Sequence, residues 1–248
     1  MSYRSNVSSS INSNNERNRT MNNRYFDNAN FDVTNPAPRC PVILLLDISG
    51  SMYGQPISEL NSALRQFIRE TSSDEAASRS VELEIITFDS TAKVVQPFAP
   101  ILGMAEPAPL VADGSTAMGA GIKLALRDLK ARRKLYRDNG YSSYRPWVVL
   151  MTDGEPNDTG WEDAAAELHS LGENGKIQYI GIEIGERADD ATMRRIIPTP
   201  GPVIMEGLQF KDFFRWLTDS LSSVSVSTVE AEGTVQFGGI DSWGKLRF

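Results

Sequence analysis

The chain of 248 residues carries 25 Lys and Arg against 32 Asp and Glu, a formal net charge of −7 at pH 7. With 40% hydrophobic residues it can bury the core of one sizeable α/β domain with tails, whereas its acidic balance argues against binding to a phosphate backbone as the main function. Cys40 is the only cysteine, which excludes an intramolecular disulfide and fits a reducing compartment.

The N-terminal segment, residues 1–39, is rich in Asn, Ser and Arg and poor in large apolar residues. Such a composition does not bury enough surface to offset its chain entropy, so we predict a mobile segment. It lacks the apolar stretch of a secretory signal, and no run in the chain approaches the roughly 20 apolar residues of a membrane span. We therefore predict a cytoplasmic protein.

Residues 40–222 alternate between apolar segments of strand length and amphipathic helical segments. The predicted strands are VILLL (42–46), VELEIITF (81–88), AKVVQPF (92–98), WVVLMT (147–152), IQYIGIEIG (177–185) and PVIME (202–206). The predicted helices begin near Pro56 and near residues 122, 161, 191 and 210. Because the short turn DST (89–91) separates the second and third strands, we expect those two to form an antiparallel hairpin.

Strands that alternate with helices favour a mainly parallel sheet. The predicted fold is a Rossmann-like, doubly wound α/β domain with a mainly parallel six-stranded sheet, one antiparallel edge strand and helices on both faces. Residues 223–248 lie outside this domain. They are predicted to be either a C-terminal tail or a weak hairpin around Glu232-Gly233.

Polar side chains follow two of the buried strands at the point where each strand ends. Asp47 and then Ser49 and Ser51 follow the first strand, Asp153 follows WVVLMT, and Thr116 lies in the loop ADGSTAMGAG. Ligands of open parallel sheets bind outside the carboxyl ends of strands, so we expect these side chains to face one crevice. A cation would relieve the repulsion between two carboxylates there. Hydroxyl and carboxylate oxygens suit Mg²⁺, Ca²⁺ or Mn²⁺; without a metal, the same Ser and Thr residues would be turn formers and helix caps.

Three motifs, LLLDISGSM (44–52), GSTAMGAGI (114–122) and VVLMTDGEP (148–156), together resemble the von Willebrand factor type A (VWA) domain and its metal-ion-dependent adhesion site. The resemblance implies a non-catalytic module that holds a divalent ion, usually Mg²⁺, and binds an acidic residue of a partner protein at the open metal position. The residues that match the metal-binding pattern of the family are Asp47, Ser49, Ser51, Thr116 and Asp153.

A closer resemblance is to the bacterial TerY-like group, which is associated with tellurite resistance and the stress response. The segments that carry it are ITFDSTAKVVQPF, RPWVVLMTDGEPND and FKDFFRWLTDSLSSVS. This resemblance implies a role in a bacterial stress or tellurite-resistance system. It also implies a protein partner, which could be kinase-like, phosphatase-like or an AAA+ ATPase.

The main alternative is a haloacid-dehalogenase-like, Mg²⁺-dependent phosphohydrolase, which also begins with an Asp after a buried strand. That chemistry needs a general acid two residues after the nucleophilic carboxylate. Here the position is Ser49, whose hydroxyl is a poor acid at neutral pH. His169, the only histidine, lies on a predicted helix away from the strand ends. The sequence therefore predicts that the protein is not an enzyme.

The basic run 127–145 interleaves Arg and Lys with aromatic residues and could contact a partner protein or nucleic acid. It is more typical of a solvated helix face with Leu129 and Leu135 turned inward, so we predict no nucleic-acid and no membrane partner. The rim of the crevice is predicted to include Tyr53, Gln55, Glu155, Asn157 and Trp161, although Trp161 could equally belong to the core.

Overall fold

The computed structural model describes residues 34–185, 190–198, 201–227 and 240–246, and these residues form a mainly parallel seven-stranded sheet in the order β3-β2-β1-β4-β5-β6-β7. Parallel pairing joins β2, β1, β4, β5 and β6, which confirms the predicted α/β class. The strands are β1 (Cys40–Asp47), β2 (Val81–Phe88), β3 (Ala92–Pro100), β4 (Trp147–Thr152), β5 (Gln178–Ile184), β6 (Val203–Met205) and β7 (Gly244–Leu246).

Strands β1 and β2 are buried at every position, as expected where helices cover both faces of a sheet. Strand β3 is mostly half-buried or exposed, and it pairs antiparallel with β2 at one edge. The hairpin predicted from the turn at 89–91 is therefore confirmed. Cys40 is buried at the start of β1, and this burial raises the pKa of its thiol to about 12.

Helices pack on both faces of the sheet. They are α1 (Gln55–Ser73), α2 (Ala77–Ser80), α3 (Met118–Asp138), α4 (Trp161–Glu173), α5 (Asp190–Ile196) and α6 (Phe210–Ser225). Apolar residues of α1 and α6 build the core on one face, and those of α3, α4 and α5 build it on the other. Within the described residues, no helix combines the length and the apolar character needed to cross a membrane.

The C-terminal segment corrects one prediction, because the sheet has seven strands rather than six. Strand β7 pairs antiparallel with β6, so the sheet has an antiparallel strand at each edge. Trp243, just before β7, is buried with its ring centroid 5.1 Å from that of Phe213 and 5.5 Å from that of Trp216. A strand of three residues is too short to show the alternation on which strand prediction depends. The hairpin predicted around Glu232-Gly233 and the segment 1–33 lie outside the described residues.

Strand β2 buries two glutamates against α3. The carboxylate of Glu82 lies 2.6 Å from Nη2 of Arg132 and 3.4 Å from Nε of Arg39. Burial, reinforced by the charge of Asp128, raises the pKa of Glu84 to about 9, so this side chain is protonated at neutral pH. Arg132 belongs to the run predicted as a solvated face, and its burial is an exception to that prediction.

The centre of the sheet is where the strand order reverses. Strand β1 has β2 on one side and β4 on the other, and its register pairs Leu46 with Met151. Asp47 and Thr152, the next residue of each strand, therefore lie side by side at the carboxyl edge of the sheet. This is the edge of the sheet at which the sequence predicted the site.

Candidate metal centre

Asp47 is the most deeply buried residue of the candidate site, with 0% of its surface exposed. One carboxylate oxygen, Oδ1, accepts a hydrogen bond of 2.8 Å from the backbone amide of Ser49. The other, Oδ2, accepts a hydrogen bond of 2.5 Å from the hydroxyl of Thr152 on the neighbouring strand. Because both oxygens are held, the orientation of this carboxylate is fixed by β4 as well as by its own loop.

The two serines after Asp47 turn back toward the end of β4. A 3-10 turn, Gly50–Met52, brings the hydroxyl of Ser51 to 3.0 Å from that of Ser49. The same Ser51 hydroxyl donates a hydrogen bond of 2.7 Å to Oδ1 of Asp153. The structure therefore brings together Asp47, Ser49, Ser51 and Asp153, which lie on two separate segments of the chain.

Thr116 reaches the same edge because hydrogen bonds tie its loop to both segments. The amide of Gly50 donates to the carbonyl of Gly114 at 3.0 Å. Two hydrogen bonds join Thr116 to Asn157. The backbone amide of Thr116 donates to the side-chain Oδ1 of Asn157 at 3.2 Å, and the backbone amide of Asn157 donates to the carbonyl of Thr116 at 3.0 Å. The Thr116 hydroxyl lies 3.9 Å from the position that a Cβ on Gly154 would occupy, and Thr116 is buried. This loop thus closes the third side of the site.

The electrostatics of the site favour a positively charged ligand. Burial, with a smaller contribution from the charge of Asp153, raises the pKa of Asp47 to about 6 against the opposing effect of the hydrogen bonds from Ser49 and Thr152. Burial also raises the pKa of Asp153, against the hydrogen bond from Ser51. A bound cation would lower both pKa values by compensating the two charges.

The donor set consists of carboxylate and hydroxyl oxygens, which fits a hard divalent cation such as Mg²⁺, Mn²⁺ or Ca²⁺. In the part of the chain that the structure describes, His, Cys, Asp and Glu form no group of three or more that could hold a metal ion. A zinc-type centre would typically need His nitrogen or Cys sulfur ligands. The site depends instead on hydroxyls, which are the feature that the sequence singled out.

Three residues support the site in ways that the sequence did not predict. Thr152 holds Asp47, and its position directly before Asp153 was the one available signal. Asp158 accepts hydrogen bonds from the amides of Gly119 and Ala120 at 3.0 and 2.8 Å, and so caps α3 from another loop. Asn157, predicted only as a rim residue, fixes the backbone of Thr116.

The predicted rim residues differ in exposure. Tyr53 is 80% exposed, and Gln55, Glu155 and Asn157 are exposed as well. Trp161 is only partly exposed, because it packs against the core and carries the guanidinium of Arg195 at 4.7 Å from its ring centroid. Four of these side chains therefore face solvent, whereas Trp161 belongs mainly to the packing of α4.

Comparison with known proteins identifies the family of this fold. Residues 42–215, more than half of the chain, match the family model of the von Willebrand factor type A domain. The chain belongs to the VWA domain family. VWA domains typically mediate protein–protein interactions and adhesion, often through a bound metal ion, and they are generally not catalytic.

Individual similar proteins match this chain at low sequence identity. An uncharacterized protein of Synechocystis sp. is 27% identical over 157 residues, which cover 62% of this chain and 34% of the relative. A von Willebrand factor type A structure from Catenulispora acidiphila superposes with a TM-score of 0.55 at 21% identity, covering 75% of this chain and 43% of that one. Manganese-loaded TRAP protein from Plasmodium vivax gives 0.50 at 20% identity, covering 71% and 73%. The chain thus spans about a third of the curated relative, and the solved structures establish its fold.

The VWA site does not support the hydrolase alternative. Two residues after Asp47, where a phosphohydrolase would need a general acid, the domain has Ser49, whose hydroxyl contacts that of Ser51. His169 lies on α4 and faces Glu173, with Nε2 3.4 Å from the Glu173 carboxylate. No observation favours nucleophilic or acid–base catalysis by these residues.

Proposed function

We propose that this VWA domain is a non-catalytic protein-interaction module that binds an acidic residue of its partner through a divalent metal ion. The observation that carries the proposal is the 2.7 Å hydrogen bond between Ser51 and Asp153, which joins the two metal-binding motifs at one point. Ser49 lies within 3.0 Å of Ser51, and Thr116 closes the third side. These contacts support a metal-ion-dependent adhesion site.

Each residue has a chemical role in the proposed site. The hydroxyls of Ser49, Ser51 and Thr116 would bind the ion directly. Asp47 and Asp153 would bind it directly or through water, and their hydrogen bonds already orient the two serines. Mg²⁺ is our first choice because it prefers six oxygen ligands, of which a partner carboxylate can supply one; Mn²⁺ or Ca²⁺ could replace it. A TRAP protein of the same fold is loaded with manganese, which supports a divalent ion.

The partner would be a protein that presents an Asp or Glu side chain. The domain is acidic overall, so a cation between two acidic surfaces makes the attraction metal-dependent. From the TerY-like resemblance, we propose a bacterial stress or tellurite-resistance system in the cytoplasm, with a kinase-like, phosphatase-like or AAA+ ATPase partner.

Thermal unfolding with Mg²⁺ and with EDTA tests the metal site. A ligand of the folded state at one hundred times its dissociation constant stabilises it by about 2.7 kcal/mol, so Mg²⁺ should raise the melting temperature of the wild type. Asp153→Asn should abolish this response. The matched control is Glu155→Gln, which removes an exposed charge from the same loop and should leave the response intact.

Partner capture tests the rest of the proposal. A pull-down with and without Mg²⁺, read by mass spectrometry, should recover a protein only with the metal and only from the wild type or Glu155→Gln. A melting temperature that changes with neither Mg²⁺ nor EDTA would contradict the proposed metal site. Partner capture that persists in Asp47→Ala would move the interface elsewhere.

A further inference from the structure

Two large apolar side chains are exposed beside the candidate metal centre. Tyr53 is 80% exposed and lies two residues after Ser51, and Val111 is 73% exposed and lies three residues before Gly114. Single exposed apolar residues are ordinary on protein surfaces. These two are notable because both lie on loops next to α1, Tyr53 just before its first residue and Val111 after Leu110, whose backbone is bonded to Asn61 of α1.

Hydrogen bonds fix the backbone at Tyr53 and directly before Val111. The amide of Tyr53 donates to the carbonyl of Gly50 at 3.2 Å, which closes the turn that carries Ser51. The side chain of Asn61 on α1 clamps the residue before Val111, donating to the Leu110 carbonyl at 2.8 Å and accepting from its amide at 2.7 Å. The two exposed side chains are therefore presented by ordered backbone.

Hydrogen bonds also connect the two segments to each other at the metal centre. The amide of Asp113 donates to the carbonyl of Ile48 at 2.8 Å, and the amide of Gly50 donates to the carbonyl of Gly114 at 3.0 Å. The apolar pair is thus continuous with the loops that carry the metal-binding residues. A ligand segment that extends from the metal over these loops would pass the backbone that carries Tyr53 and Val111.

The charges around the site restrict what such a ligand can carry. The described loops at this edge, residues 48–54, 89–91, 110–117 and 153–160, contain several acidic residues and no Lys or Arg. Asp113 and Glu155 are exposed there. One carboxylate can be neutralised by the metal, but further acidic residues of the ligand would be repelled by this rim.

We propose that the partner segment carries a single acidic residue with a bulky apolar residue beside it, and that this apolar side chain packs against Tyr53 and Val111. The inference rests on the proposed function, because the carboxylate must first be held by the metal. Partial burial of a leucine-sized side chain corresponds to about tenfold in affinity. The surface would therefore select among acidic segments by the residue next to the acid.

Synthetic peptides test the inference on the full chain. Nine-residue peptides with one central Glu in a Gly-Ser background would carry Gly, Leu, Lys or Glu beside it, with binding in Mg²⁺ measured by fluorescence polarisation. We expect the Leu peptide to bind about tenfold more tightly than the Gly peptide, and the Glu peptide to bind more weakly. In the double variant Tyr53→Ser, Val111→Ser, the advantage of Leu should disappear, whereas the Mg²⁺ dissociation constant should stay within about twofold of wild type.

Leu102→Ser is the matched control, because Leu102 is also an exposed apolar residue, at 61%. It lies away from the candidate site, since the amide of the preceding residue, Ile101, donates to the carbonyl of Val81 at the start of β2, the opposite edge of the sheet. This variant should keep the advantage of Leu. The inference alone is overturned if Gly and Leu peptides bind equally in Mg²⁺, if Lys gives the larger gain, or if the double variant keeps the preference. If no peptide binds in a Mg²⁺-dependent way, the proposed function fails, and this inference fails with it.

Discussion

Replacement of Thr152 by Val tests how the buried carboxylate at the centre of the site is held. Thr152 is fully buried, and its hydroxyl donates to Oδ2 of Asp47 at 2.5 Å. Val has nearly the same shape, so the substitution removes the hydroxyl without opening a cavity. The remaining hydrogen bond from the Ser49 amide holds only Oδ1 of the carboxylate.

The magnitude follows from burial and charge. A hydrogen bond to a charged group contributes about 1.5–3 kcal/mol to stability, and a buried acceptor left without a donor loses its hydration as well. We therefore expect Thr152→Val to lower the free energy of unfolding by about 2 kcal/mol. Loss of an outer hydrogen bond to a metal-binding residue typically weakens metal affinity 10–100-fold, so Mg²⁺ binding should weaken by roughly tenfold or more.

Two measurements and one control decide the result. Urea unfolding in EDTA gives the stability without metal, and calorimetric titration with Mg²⁺ gives the affinity. Thr91→Val is the matched control, because the exposed hydroxyl of Thr91 also bonds to an Asp, Asp89, in a loop at the same edge; it should change stability by less than about 0.5 kcal/mol. A Thr152→Val protein with wild-type stability and wild-type Mg²⁺ affinity would refute the role of β4 in orienting Asp47.

Three further predictions concern the rest of the domain. The pKa of Glu84 is about 9 in the folded protein, above its unfolded value, so the folded state loses stability as the pH rises between those two values. Glu84→Gln should reduce the loss of stability between pH 6 and 9 by about 3 kcal/mol, as measured by urea unfolding at each pH. Asp158→Ala should cost about 1–2 kcal/mol because two amides at the start of α3 lose their acceptor, and Asp158→Asn should recover part of that in the same assay. Trp243→Ala should cost about 3–5 kcal/mol in chemical denaturation, because its ring fills the core beside α6; an unchanged midpoint would mean that β7 contributes little to the fold.

The sequence predicted the position of the site because the residues involved follow directly after buried strands. Asp47 and Asp153 end two segments whose apolar character marks them as central strands, and parallel neighbours put their carboxyl ends on one edge. The proximity of Ser51 to Asp153 follows from that arrangement. The metal itself and its partner stay predictions.

Other features could not be predicted because they depend on contacts between distant segments. The cap that Asp158 provides for α3 joins a side chain to amides about forty residues earlier, and such a contact leaves no periodic pattern. Likewise, the alternation VELE indicates a strand but does not reveal that Glu82 and Glu84 are buried. The cations that compensate Glu82 come from residues 39 and 132, far along the chain.

The sealed thiol at the start of β1 has a practical consequence for labelling. Cys40 is the only cysteine, and with a pKa of about 12 and no solvent access it does not present a thiolate to reagents at neutral pH. A cysteine introduced on the exposed surface would therefore react alone with a maleimide dye, with no need to remove the native one. A fluorophore or spin label at the mouth of the crevice could then report ligand arrival in real time on an otherwise unaltered molecule.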